Sequence, residues 1–438
     1  MRRWTCGLST QCAKIKMLEN SMVTERPVTY PVSEVVTPRL FYQTAASEWA
    51  KKAARPVSLR QLAVFGRKLT EEKLIQGANY IVEEMAIRLA HRILDMQRMP
   101  YRVMSNPHMT QVFEKYTLAF DRCRKFGKIK DMEDNARFCV LIADLLDKHG
   151  NIVPDLIVGV KEIVRTSSHE DDGPMLDQFM RTMLMSRISR RVIAEQHYSL
   201  TQAFNRGQTN DDKDNSYIGE VFLQCRPSEI LQTSIKTVTD SIRASFPGTD
   251  MPIFEIEGDV DTAFPYLRSH IDYILGEILR NSVEASILFA QRQGTPVKPI
   301  LISVSSTNEN VFIRVSDQGG GIPLKELPSI WSFAKPMSDN DPLLFTGKVA
   351  LALPIEALHE IDQQIKSTPL YMRTESDNEV HTRDTMTKLG IGIALARVYA
   401  EYWGGAFEIH SLENYGCDSL LRISRLGTKL EQLHVNRI

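Results

Sequence analysis

No apolar run in this 438-residue chain reaches the length of a membrane span, so nothing in it predicts a transmembrane segment. Charge of one sign is missing as well. The formal net charge is -1, which argues against a nucleic-acid partner held by broad positive potential. The six cysteines (Cys6, Cys12, Cys123, Cys139, Cys225 and Cys417) are scattered without a CxxC pair, so they are expected to be reduced thiols rather than a disulfide framework or a zinc site. Acidic residues are absent before Glu19, where Arg2, Arg3, Lys14 and Lys16 stand among Ser, Thr, Trp4 and Leu8. That composition fits a mitochondrial presequence or a basic disordered tail. What remains is ordinary for a globular protein of two or three domains: 43% hydrophobic and 24% charged residues.

Helical periodicity dominates the first half. Ser58 is placed to cap a helix through Leu59, Leu62 and Phe65, and Leu74, Ala78, Ile81, Val82, Met85, Leu89 and Ile93 form a long amphipathic stripe. Met109 to Arg124, Asn135 to Lys148 and roughly Met175 to Asn205 predict further helices, and together an all-α bundle. A polar stretch, Arg206 to Asn215, then marks a boundary. Beyond it, strand-like pieces at Phe254 to Ile256, Ile300 to Val304, Val311 to Val315, Ala406 to His410 and Ser419 to Ile423 alternate with helices at Pro227 to Ser245, Ile271 to Gln291 and Ile391 to Trp403. This mixture predicts an α+β domain, a mixed sheet with helices on one face. The expected division is 1–40 presequence and disordered N-terminus, 41–205 helical bundle, 206–215 linker and 216–438 α+β domain.

Three short stretches carry chemistry. In Ile271–Ala285, Glu277 and Asn281 are four residues apart and share a helix face, with Glu284 one step on. An amide oxygen is a hard ligand suited to magnesium, and the neighbouring carboxylate can take a proton from a hydroxyl. In Val311–Pro323, a strand ends at Asp317 and is followed by Gly319, Gly320 and Gly321, so a carboxylate able to accept from an exocyclic amine precedes backbone that a ligand can approach closely. In Lys388–Gly405, Gly390 and Gly392 open a helix whose first N–H groups are free for phosphate oxygens. No strand immediately precedes this turn, which disfavours a dinucleotide fingerprint. Singly, these read as a wet helix face, a turn and a weak G-x-G. In this order they are specific.

The order resembles the nucleotide site of the GHKL ATPase superfamily, and within it the mitochondrial 2-oxo acid dehydrogenase kinases. Asp147–Pro154, Ser186–Arg191 and Glu195–His197 are similar to that family's helical-domain signatures. The resemblance covers roughly Pro56 to Leu426. It implies a protein-serine kinase of the mitochondrial matrix that inactivates the pyruvate dehydrogenase complex by phosphorylating its decarboxylase alpha subunit, or does the same to the branched-chain complex. It further implies ATP and Mg²⁺ as cofactors, the lipoyl domain of the acyltransferase core as docking site, a homodimer, and a lid over ATP around 335–386. Asn281 would hold the metal, Glu277 would be the general base and Asp317 would recognise adenine. Gly319, Gly321, Gly390, Ile391, Gly392 and Ile393 would line the phosphates.

The sequence also departs from the family. Tyr273 stands where some relatives carry a His beside the base, Cys417 where an adenine-site Thr is common, Lys388 where Gly and Ala394 where Pro are usual. The chain ends soon after Leu426, without the long tail of pyruvate-type relatives. The apolar run Leu343 to Leu358 is unlike a lid, and suggests an inserted helix or a mis-spliced gene model. Two other readings compete: a histidine kinase, for which His197 is the candidate acceptor, and an ATP-binding scaffold without transfer activity.

Overall fold

The computed structural model of the protein describes residues 45–166, 172–207, 217–246, 248–335 and 390–433. The expected presequence (1–40), most of the expected 206–215 linker, the expected 335–386 lid beyond Lys335, the apolar run from Leu343 and Lys388 lie outside them.

Helices start where side chains satisfy their first N–H groups. Ser58 and Gln61 form a reciprocal capping box for α1 (Leu59–Gly66), the Gln61 amide donating to Ser58 Oγ at 3.2 Å and the Ser58 amide to Gln61 Oε1 at 2.8 Å. Thr70 caps α2 (Glu71–Arg98), whose first turn carries Glu71 and Glu72 against the helix dipole. The one-turn α3 (Tyr101–Met104) leads to α4 (Pro107–Phe126), capped by Asn106 with Pro at the first position, and Asp131 caps α5 (Met132–Lys148). Helices α6 (Ile152–Thr166) and α7 (Asp172–Asn205) complete the set. Sequence reasoning missed α6. Its start lies inside the Asp147–Pro154 signature, and Pro154 is tolerated there because the first turn needs no N–H donor.

The stripe of α2 is buried as expected, packing on α4 and α7. Two of the three signature stretches meet inside the bundle: His149, Arg187, Arg190 and Arg191 line one small cavity. Burial, helped by Arg190, pushes His149 down to about 3. Burial also pushes Arg187 down to about 10, with Arg191 adding to it. His197 is only 2% exposed, its Nε2 lies 2.8 Å from Asn135 Oδ1, and burial pushes it down to about 4. It is a core imidazole, closed to phosphate.

Two sheets follow. A small antiparallel one has order β1-β2-β4, from β1 (Tyr217–Ile218), β2 (Val221–Cys225) and β4 (Phe264–Leu267). These strands of two to five residues were not legible in the pattern. The main sheet has order β3-β5-β6-β8-β7, from β3 (Phe254–Gly258), β5 (Ile300–Ser306), β6 (Asn310–Ser316), β7 (Ala406–Leu412) and β8 (Gly416–Ser424). Only β3 and β5 run parallel, so the sheet is mixed. Ile300, Ile302, Val304, Val311, Ile313, Val315 and Phe407 turn to its buried face, where α9 (Arg268–Gln293) and α10 (Gly392–Tyr402) pack, with α8 (Pro227–Ser245) against α9. Arg314, Glu408 and His410 alternate onto the open face. The two-domain α plus α+β expectation holds, and the described residues of both parts from Ala46 onward belong to one compact unit.

Candidate active site

Helix α9 crosses the buried face of the sheet, so most of its circumference is apolar and enclosed. Glu277 is enclosed with it, 3% exposed, while Asn281 one turn on is half-buried. Asn281 Nδ2 donates back to the Glu277 carbonyl at 2.6 Å, so the amide oxygen takes no part in that bond.

The Gly-rich turn meets this helix. A Cβ at Gly392 would fall far inside van der Waals contact with Glu277 Oε2 and Cδ. A side chain at residue 392 would therefore displace the buried Glu277 carboxylate. Gly390 has φ +69°, and Ile391, whose side chain is buried, caps α10 without any side-chain bond to its first N–H groups. A helix opened this way offers those donors to an anion.

Asp317 follows β6 and is 7% exposed. Its Oδ1 accepts from the Gly319 amide at 2.9 Å and the Cys417 amide at 3.2 Å. Burial pushes its pKa up, while those amides and the Ser282 hydroxyl pull it down. The result is a fixed, buried acceptor. At Gly321 (φ +70°) a Cβ would collide with the Leu412 carbonyl, so this loop lies directly on β7.

Some substituted positions behave differently from their sequence reading. The Cys417 thiol contacts Ser411 Oγ at 3.5 Å, and it is the Cys417 backbone that holds Asp317. Tyr273 packs its ring against Tyr399 of α10, 5.1 Å between centroids. The nearest imidazole on α9 is His270, enclosed by Tyr399 and Tyr402 and pushed by burial to about 3, so it is neutral. Ala394 is buried within α10. Ser282, Ser411 and the Cys417 amide are the members that sequence reasoning missed. They carry no motif of their own and act through folding.

Among the described residues no cluster of three or more His, Cys, Asp or Glu could hold a metal ion. The Asn281 amide oxygen, a hard ligand, fits a magnesium ion that would take its other ligands from phosphates and water.

A family model described as histidine kinase-, DNA gyrase B- and HSP90-like ATPase matches residues 267–426, the span that holds every element of this site. A second, described as mitochondrial branched-chain alpha-ketoacid dehydrogenase kinase, matches residues 56–222. The mitochondrial [pyruvate dehydrogenase (acetyl-transferring)] kinase 2 of Saccharomyces cerevisiae is 30% identical over 448 residues, covering 93% of this chain and 89% of that protein. The chain belongs to the pyruvate dehydrogenase kinase family. It is thus a protein kinase of the GHKL superfamily with an ATP-binding C-terminal part. The family member from Arabidopsis thaliana is 29% identical, covering 88% of this chain and 94% of its own, and isozyme 1 of Homo sapiens is 23% identical, covering 88% and 81%. No described helix of this family member is long and apolar enough to cross a membrane.

Proposed function

We propose that the protein transfers the γ-phosphoryl group of ATP to a serine of the decarboxylase alpha subunit of the pyruvate dehydrogenase complex and so inactivates that complex in the mitochondrial matrix. The observation that carries this reading is the buried Glu277 carboxylate, one turn from Asn281 and pressed against Gly392 at the mouth of α10. Glu277 accepts the proton of the substrate hydroxyl as it attacks. Asn281 Oδ1 would hold Mg²⁺, Asp317 would accept from the adenine amine, and the backbone of Gly319, Gly321, Gly390, Ile391, Gly392 and Ile393 would lie along the phosphates. Magnesium, when bound, neutralises phosphate charge. The residues' share is positioning and proton acceptance, which suffices because phosphoryl transfer needs little covalent chemistry from the protein.

In the same proposal, residues 41–205 dock the lipoyl domain of the acyltransferase core, 216–438 form the kinase domain and two chains form a homodimer. The match of residues 56–222 to the branched-chain kinase model supports a second reading, the same transfer to the branched-chain decarboxylase. The buried state of His197 speaks against phosphohistidine chemistry.

The test is transfer from Mg-ATP to purified pyruvate and branched-chain decarboxylase components, each with its lipoyl core. Labelled serine on the pyruvate component, lost in Glu277→Gln, supports the first reading. Label confined to the branched-chain component moves the assignment there. ATP binding with label on neither overturns both in favour of a scaffold.

A further inference from the structure

Asp177 and Arg181 lie four residues apart on α7, hence on one face of the helix. Each reaches a different segment of the nucleotide-binding part. Asp177 Oδ1 accepts from the amides of Phe333 (2.7 Å) and Ala334 (3.0 Å), two buried residues just past the 3-10 turn Leu327–Trp331. That turn begins a few residues after the loop that starts at Asp317. Arg181 pairs with Glu401 near the end of α10, the helix opened by Gly390 and Gly392.

The two segments are also joined to each other. Arg397 Nε donates to Glu401 Oε1 at 2.9 Å, and the Arg397 guanidinium lies 4.6 Å above the Trp331 ring, whose edge-on neighbour is Phe407 of β7 at 5.4 Å. The contacts close a circuit: α7, Asp177, residues 333–334, Trp331, Arg397, Glu401, Arg181 and back to α7. Lys161 of α6 adds a bond to the Lys335 carbonyl at 2.9 Å. A closed circuit fixes every member, whereas an open chain of the same contacts leaves its ends free.

We propose that Asp177 and Arg181 are positioning residues for ATP. Through this circuit one helix of the bundle sets the spacing between the loop that follows Asp317 and the phosphate turn. Neither residue touches nucleotide. The proposal rests on ATP binding by the C-terminal part and is independent of which protein is phosphorylated.

The experiment measures the dissociation constant of Mg-ATP by calorimetry on the full chain, without any protein substrate, alongside the thermal midpoint without nucleotide. Asp177→Ala and Arg181→Ala are each expected to weaken ATP binding about tenfold, the scale of one charge-assisted hydrogen bond, with the double variant no more than about twofold worse than either single one. Asp177→Asn keeps an oxygen acceptor and is expected to recover binding to within about threefold. Folded Asp177→Ala and Arg181→Ala that bind ATP like the parent overturn the proposal, including when their midpoints fall, because the circuit then serves stability alone. Additive losses overturn the closed circuit. If Asp177→Ala fails to fold, Arg181→Gln decides by the same measurement. Because no phosphate transfer is read, a failed substrate assignment leaves this result unaffected.

Discussion

Glu84 and Glu431 on one side, and Glu277 and Asp317 on the other, are buried to similar degrees, from 0% to 7% exposed, yet they sit in different places in the fold. Glu84 and Glu431 enclose Arg88: its Nε meets Glu84 Oε2 at 3.1 Å and its Nη2 meets Glu431 Oε1 at 2.7 Å. Arg55, the Val57 amide and the Tyr402 hydroxyl complete that cluster. Asp317 is oriented by backbone amides, and Glu277 faces a glycine. Burial alone therefore does not mark a reacting carboxylate. A buried carboxylate enclosed by arginines is committed to holding the bundle, the chain end and α10 together. Glu277, by contrast, sits beside the glycine turn that opens α10, one turn from the half-buried Asn281 amide.

Glu277→Gln presses hardest on that contrast. It is expected to lower phosphate transfer by about 10²- to 10⁴-fold, the usual worth of a general base, while the thermal midpoint and ATP affinity stay near those of the parent. Arg88→Met should do the reverse. It leaves two buried carboxylates without their central cation, and denaturant titration should show a loss of about 3 kcal/mol. A loss of stability in Glu277→Gln as large as that in Arg88→Met would erase the distinction. Asp317→Asn should weaken ATP binding about thirtyfold by calorimetry, because an amide presents its NH₂ group to donors that a carboxylate accepts from.

A pH prediction follows from three buried imidazoles. His149, His197 and His270 are held near 3 to 4 by burial, against about 6.5 in the unfolded chain. The unfolded state therefore takes up protons first. Stability is expected to be level above about pH 6.5 and to fall with acidification towards pH 4, measured by urea titration, with a shallower fall in His197→Gln. The smallest effect is expected for Cys417→Thr. The thiol is engaged with Ser411 and the residue acts on Asp317 through its backbone, so ATP affinity should change by less than about threefold.

Much of the architecture was legible because it is written locally. Capping side chains and apolar periodicity located α1, α2, α4, α5, α7, α8, α9 and α10, and alternation located the five strands of the main sheet. Helix α6 hid behind a proline in its first turn, and the small sheet behind strands too short to alternate. At the site, the mid-helix Asn281 is an unusual residue for its place, whereas Glu277 and Asp317 stood out only through the order of the three stretches. The reading of Gly392 was incomplete. Sequence suggested freedom for phosphates, whereas the folded chain shows a position filled by the Glu277 carboxylate.

The sequence by itself determined where helices and strands begin, which faces they bury and which three stretches carry nucleotide chemistry, since each depends on neighbours a few residues apart. Only the tertiary structure decided that His197 is closed to solvent, that the Cys417 backbone rather than its thiol holds Asp317, and that Arg88 and Glu431 share one cluster across 343 residues of chain. It alone brought Asp177 to the Phe333 amide and Arg181 to Glu401, across 156 and 220 residues. Such pairs leave no periodic trace. They form because burying a polar group requires a partner, and the packed fold determines which partner lies within reach.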